Sequence, residues 1–314
     1  MTELTDTNHS ELDRRGFLKC MAWAGTAVTW TVSGGVLSAC EIGANPAQAP
    51  KPRSKDLYFV QISDSHIGFK GTANADVTAT FGQAISQVNA LAQRPAFVMN
   101  TGDLTHTSTA AQFDTVKQLA GTLKTAHVFQ VPGEHDVIGG AQAYLDRYGK
   151  STVGTGYYSF DMNGVHFLAL VNVNQTEQMG HLGQEQLDWI KKDLSGLASD
   201  TPIVVFAHVP LFAMYPQWGW STDDAVQALG FMKRFGSVSC LNGHVHQVMT
   251  KVEGNVTFHT ARGTAFPLPA PGTAPAPTPV TVPAGQLHQA LGVSEVRWTA
   301  RYSRLAIVDD TLPT

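Results

Sequence analysis

Five short apolar runs in this chain each break off at an aspartate, a histidine or a glutamate, and that repetition limits what it can fold into. Leu57–Ile62 is almost unbroken in its apolar character and stops at Ser63, Asp64, Ser65 and His66. "PAFVMN" stops at Gly102 and Asp103, "HVFQV" at Gly133 to Asp136, "PIVVFA" at His208, and "SVSCLN" at Gly243, His244 and His246. Such runs suit strands buried on both faces, as in sheets covered by helices. Helical spacing separates them: Val77, Phe81, Ile85, Val88 and Leu91 recur every three or four residues, as do Phe113, Val116, Ala120 and Leu123, and Leu187, Ile190, Leu194 and Leu197. "DMNG", Asp161 to Gly164, marks a hairpin between "YYSF" and "VHFLALVNV", while "EVRW" and "RLAIVDD" read as terminal strands that rejoin a sheet. In a layered α/β fold the carboxyl ends of neighbouring strands meet on one rim, where ligands bind. The five polar strand ends therefore predict one site.

The residue types point to metal. Asp64 and His66 are one residue apart, so both can turn toward one ion. Asp103 follows a glycine, which permits a tight turn that presents the carboxylate, and a carboxylate can bridge two cations because each oxygen accepts independently. His208, His244 and His246 add imidazoles, common ligands for zinc, iron and manganese. Two cations about 3.5 to 4 Å apart would clamp a phosphate and make a bound water acidic enough to attack. "DSH" or "GHVH" in isolation is usually loop or satisfied interior; their order and common placement at strand ends make the case. With a formal net charge of -4 and 15% charged residues, the chain offers no basic stripe for a phosphate backbone, so no nucleic-acid partner is expected.

In order, Asp64-Ser65-His66, Gly102-Asp103, Gly133-Glu134-His135-Asp136, a lone His208 and Gly243-His244-Val245-His246 resemble the motif series of the calcineurin-like metallophosphoesterases, in particular the bacterial cyclic-nucleotide and glycerophosphodiester phosphodiesterase branch. The resemblance spans about Asp56 to His259. It implies a four-layer α/β/β/α sandwich of two mixed sheets, a phosphoesterase acting on a small phosphoester with diesters favoured, and two divalent or mixed-valence ions of iron, manganese or zinc. One ion would be held by Asp64, His66, Asp103 and His246, the other by Asp103, residue 134, His208 and His244. His135 would protonate the leaving alkoxide or contact the phosphate, with Asp136 orienting it.

The chain departs from the family at one ligand, where Glu134 replaces an asparagine. As a ligand, Glu134 raises the carboxylates around the ions from two to three, which should tighten cations and penalise a dianionic monoester more than a monoanionic diester. Pointing to solvent, it would leave the second ion weak or lost. A noncatalytic metal-binding or phosphate-sensing lipoprotein on the same scaffold is the alternative function, and His135 speaks against it, since a binder needs no proton donor. His127 and His166 lie in strand patterns and read as structural, whereas His106 and His259 could reach the rim. Trp218 and Trp220 could wall a pocket or simply pack a loop.

The first residues read differently. Arg14 and Arg15 precede a weakly apolar run, Cys20 to Leu37, and together resemble a twin-arginine export signal, placing the chain in the periplasm or cell envelope with the twin-arginine machinery as partner. "LSAC", Leu37 to Cys40, resembles a lipoprotein processing box that would attach the chain to a membrane through Cys40, and cleavage after "AQA", Ala47 to Ala49, competes with it. The expected organisation is a signal over 1–40, a linker over 41–55 and one domain over 56–314. Within that domain, Phe266 to Gly285 is Pro-rich and reads as an excursion over the surface. Cys240 has no partner cysteine in the domain, so no disulfide is expected.

Overall fold

The computed structural model describes residues 56–173, 179–300 and 304–313. The expected export signal, processing site and linker lie outside the described residues. In chain order the elements are β1 (Leu57–Ile62), α1 (Val77–Ala90), β2 (Phe97–Asn100), α2 (Ala110–Ala120), β3 (His127–Gln130), α3 (Gln142–Tyr148), β4 (Tyr158–Met162), β5 (Val165–Ala169), α4 (Gln184–Leu194), β6 (Ile203–Ala207), α5 (Ala225–Met232), β7 (Val238–Asn242), β8 (Met249–Glu253), β9 (Val256–Thr260), α6 (Leu287–Ala290), β10 (Gly292–Thr299) and β11 (Arg304–Thr311). They form a five-stranded sheet in the order β11-β10-β1-β2-β3 and a six-stranded sheet in the order β4-β5-β6-β7-β9-β8. Both are mixed, as expected. β1, β2 and β3 run parallel, β10 pairs antiparallel with β1 and β11 antiparallel with β10, while β5, β6, β7 and β9 run parallel between antiparallel β4 and β8.

Strand alternation sends side chains to two different cores. Phe59, Phe97 and Met99 from the first sheet meet Phe167, Val204, Phe206 and Leu241 from the second. Phe59 stacks on Phe97 with centroids 4.5 Å apart and meets Phe167 edge-on at 5.9 Å. Each fully buried phenylalanine of this kind contributes roughly 1.5–3 kcal/mol, so the aromatic cluster fixes how the sheets face each other. The alternate residues Tyr58, Val60 and Ile62 point the other way, onto Val77, Phe81, Ile85 and Val88 of α1. On the far side, Leu168 and Val205 pack under Leu187 and Ile190 of α4 and Ala228 and Met232 of α5. The result is helix, sheet, sheet, helix. Asp76 caps α1 by accepting from the Ala79 N–H, and Thr109 caps α2 by accepting from Gln112.

The β8–β9 hairpin did not declare itself in the apolar pattern because β8 is an edge strand with four exposed positions out of five. The Pro-rich stretch makes no ladder, as expected, yet it is tied down at its start. Gln247 Nε2 donates to the carbonyls of Leu268 and Pro269, and Val280 N–H donates to Pro267 O. His127 sits exposed on β3, whereas His166 is buried and carries a structural pair of bonds, its Nδ1 2.9 Å from Asp161 and its Nε2 2.7 Å from Asp193. His259 is likewise absorbed into structure, between Thr250 at 3.0 Å and Asp309 at 3.1 Å, so it bridges β9 of one sheet to β11 of the other.

A candidate two-metal centre at the strand ends

β1, β2 and β3 of the first sheet and β6 and β7 of the second all end at the same rim. Backbone bonds stitch the loops that follow them: Asp64 N–H donates to Gly102 O, His66 N–H to Asp103 O, and Gly243 N–H to His208 O. Across the sheets, Gln61 Nε2 donates to Asn242 O at 3.1 Å. The turns are tight enough to force non-glycine residues into the left-handed region, with φ of 54° at Asp64, 41° at His66, 50° at Asp103, 69° at His244 and 52° at His246. Each such residue costs about 1–2 kcal/mol. Five of the seven predicted ligands are strained in this way, which marks a site whose geometry is imposed by its surroundings.

Two motif glycines are there for space. A Cβ on Gly102, whose φ is +100°, would stand 2.5 Å from Nδ1 of His208; one on Gly133 would stand 2.3 Å from the Asp103 backbone nitrogen. The loops therefore approach more closely than any side chain would allow.

Asp64, His66 and His246 form one buried group of potential ligands, and Glu134, His208 and His244 form another. Asp103 lies between them, its Oδ2 3.4 Å from His66 Nε2 and 3.4 Å from His208 Nε2. All seven sequence-predicted ligands thus converge. The open question about Glu134 is also answered: its side chain faces inward and is nearly buried, with Oε1 2.8 Å from His244 Nδ1 and Oε2 2.9 Å from His208 Nε2.

The atoms fit cations. His208 donates Nδ1–H to Thr101 O at 2.7 Å and His246 donates Nδ1–H to Phe266 O, so in each neutral ring Nε2 keeps a bare lone pair aimed at carboxylates. Two lone-pair-bearing atoms at such distances repel unless a positive charge lies between them. Asp64 Oδ2, Glu134 Oε2, His208 Nε2 and both nitrogens of His244 are buried and without a hydrogen-bond partner among the described residues. Orphaned ligand atoms of both donor types, clustered at one rim, are what a bound ion would satisfy.

The electrostatics agree. Burial works against the Glu134 carboxylate, but His244 and His208 hold its pKa well below the ordinary value, and His246 and His208 likewise keep Asp64 ionised against its burial. Burial depresses the imidazoles too, yet Asp103 and Glu134 raise His208 well above its usual range and Asp64 raises His246. His66, buried and facing the imidazoles of His135, His246 and His106, is pushed well below the ordinary value. The rim thus attracts positive charge.

His135 projects beside this cluster. Its backbone N–H donates to Asp103 Oδ1 at 2.9 Å and its Nδ1–H to His106 O at 2.7 Å, which leaves Nε2 to hold or release a proton. Burial lowers its pKa, but Asp103 and Glu134 outweigh that and raise it. The orienting role expected of Asp136 falls to the His106 carbonyl instead. Asp136 is fully buried and accepts from the N–H groups of Leu104, Thr105 and Gly133 and from the Thr105 hydroxyl at 2.8–3.0 Å. Burial first, and then the Asp103 charge, push its carboxyl up to about 7 against the pull of those donors. It is the latch that ties the Gly133–Asp136 turn to the loop after β2. The contribution of the Thr101 and Phe266 carbonyls had no signal in the sequence, because backbone acceptors carry no residue type.

Residues 57–248 match the sequence pattern of the calcineurin-like phosphoesterase family. The chain belongs to that family. Calcineurin-like phosphoesterases are phosphoric ester hydrolases, and this one is 24% identical to a probable glycerophosphodiester phosphodiesterase from Arcobacter nitrofigilis, over 65% of this chain and 77% of the relative. It is 24% identical to a probable cyclic nucleotide phosphodiesterase from Rhodococcus erythropolis, over 70% and 74% of the two chains. A dimetal phosphatase from Danio rerio has the same fold, with a TM-score of 0.57 at 13% identity, over 82% of this chain and 99% of that one. The sandwich of two mixed sheets is the fold this chain shares with that phosphatase, and the strand-end rim is the candidate site.

Proposed function

We propose that this calcineurin-like phosphoesterase is a phosphodiesterase for a small phosphoester, carrying two divalent or mixed-valence ions of iron, manganese or zinc. Asp64, His66 and His246 would hold one ion, Glu134, His208 and His244 the other, and Asp103 would reach both. When bound, such a pair offsets the charge of a phosphoryl group and lowers the pKa of a water so that it can attack at neutral pH. His135 is the proton donor: its Nδ1–H is committed to the His106 carbonyl, so Nε2 is the nitrogen left to give its proton to the departing alkoxide.

The observation that carries the preference for diesters is the inward-facing Glu134 carboxylate between His208 and His244. Two divalent ions bring four positive charges against three carboxylates, and a single net positive charge matches a monoanionic diester. A dianionic monoester leaves the centre net negative. Comparing a chromogenic phosphodiester with its monoester in the parent and in Glu134→Asn tests this. The diester-to-monoester ratio of kcat/KM falls in the variant if the charge argument holds, and an unchanged ratio sinks it. A purely binding protein has no need of the His135 proton donor.

The reading includes export as a folded, metal-loaded protein through the twin-arginine route, with Cys40 as a lipid attachment point. It rests on Arg14, Arg15 and the "LSAC" stretch. Changing Arg14 and Arg15 together to lysine should leave the chain in the cytoplasm; unaltered export would refute that route.

A further inference from the structure

His106, three residues beyond Asp103, stands behind the site, outside both ligand groups proposed above. Its Nδ1 is 3.3 Å from Nδ1 of His66, and its ring stacks on that of His135 with centroids 4.8 Å apart and an interplanar angle of 16°. Its own place is fixed by its backbone N–H donating to Ile67 O at 3.0 Å and by Phe69, whose ring meets it edge-on at 5.2 Å.

Tautomers decide what this contact does. His66 Nε2 faces Asp103 Oδ2 at 3.4 Å and His246 Nε2 at 3.2 Å, so it is the nitrogen that would meet an ion. A ligating Nε2 needs its lone pair free, which places the His66 proton on Nδ1. The acceptor in reach of that proton is His106 Nδ1. His106 must then carry its own proton on Nε2. Outer partners of this kind fix the tautomer and the ring plane of a metal-binding histidine.

We propose that His106 is a positioning residue for two imidazoles at once: it accepts the Nδ1–H of His66, presenting Nε2 to the metal, and its ring face supports the plane of the proton donor His135. The proposal rests on the two-metal reading above. It separates into two functions of one side chain, an acceptor atom and a flat face, and two substitutions remove them one at a time. H106N puts an amide oxygen where Nδ1 stood but removes the ring; H106F keeps a flat ring against His135 but removes the acceptor.

The test is titration of the metal-free full chain with Co²⁺, read by its visible absorption, together with kcat and KM for a phosphodiester at saturating metal. In H106F the ion bound through His66 should weaken about 10- to 100-fold, the size expected for loss of an outer partner, while kcat at saturating metal falls less than in H106N. In H106N metal affinity should hold while kcat falls and KM does not move. H106A should show both losses and stands in for H106F should that variant not fold. Equal effects of H106N and H106F, or parental metal affinity in H106F and H106A, would overturn the proposal. So would a third cobalt ion per chain that disappears with His106, since the three imidazoles of His66, His106 and His135 would then be ligands to an ion of their own. A parent that binds cobalt at this rim yet hydrolyses no ester would refute the phosphodiesterase reading alone and leave the affinity comparison standing.

Discussion

Gly133→Ala is a one-carbon change whose consequence can be worked from contact distances. The new Cβ would lie 2.1 Å from Asp103 Oδ1 and 2.3 Å from the Asp103 backbone nitrogen, where ordinary contact begins at 3.4 Å. A rotamer change can clear the oxygen but not the backbone atom, so one loop must move by about 1 Å. Asp103 is the wrong residue to displace. Its Oδ1 accepts from the His135 N–H, and its Oδ2 stands at equal distance from the nearest nitrogens of His66 and His208. Overpacking a tight site costs about 1–3 kcal/mol, which for a domain of this size is a fall in melting temperature of roughly 2–12 °C. Misplacing catalytic groups by about 1 Å costs about 100-fold in rate. Melting curves of the metal-free protein and steady-state hydrolysis of a phosphodiester measure both. A variant that melts and turns over like the parent would show that the loops are not held as closely as described, and the strained-turn account of the site would fall with it.

Three further outcomes are expected. Asp136→Asn turns an amide NH₂ toward three backbone N–H donors and a hydroxyl, and leaving those buried donors without an acceptor should destabilise the metal-free protein by about 1–3 kcal/mol, read by denaturant unfolding; parental stability would contradict the latch role. His166, far from the rim, is lowered by burial but raised overall by Asp193 and Asp161 above its ordinary 6.5, so its contribution is fully present below pH 6.5 and is lost as pH rises through the raised value. The melting-temperature gap between the parent and His166→Gln should therefore be widest below pH 6.5 and shrink toward alkaline pH, and a gap that widens instead would reverse the assignment. Manganese at 100 times its dissociation constant should stabilise the parent by about 2.7 kcal/mol per site in thermal unfolding, and His244→Ala should lose part of that gain.

Much of this architecture is legible in the sequence because buried strands and amphipathic helices write their periodicity into residue type. The runs at Leu57–Ile62, Phe97–Asn100, Ile203–Ala207 and Val238–Asn242 are buried along their whole length, and all became strands. β8 was not legible because an exposed edge strand such as "MTKVE" has no apolar alternation to show. The candidate ligands were legible for a different reason: they follow strands, and strand ends share a rim. Whether Glu134 turned inward could not be read from the chain, since it depends on the spacing between His208 and His244, which follow strands of the other sheet. Nor could the reassignment of Asp136 be read. Its carboxylate is taken up by amides that the 3₁₀ turn at Glu134–Asp136 and the loop after β2 bring to it, and amides have no sequence signature.

The central claim is that the strand ends form one two-metal centre that hydrolyses phosphoesters with His135 as proton donor. The most direct measurement is hydrolysis of a chromogenic phosphodiester by the purified chain, stripped with a chelator and reloaded with manganese, iron or zinc, with ions per chain counted on the same samples and His135→Ala run in parallel. Two ions per chain, turnover restored on reloading and a large loss of kcat in His135→Ala with the ions retained are the predicted results. Two bound ions without turnover under any metal, or turnover unaffected by His135→Ala, would contradict it.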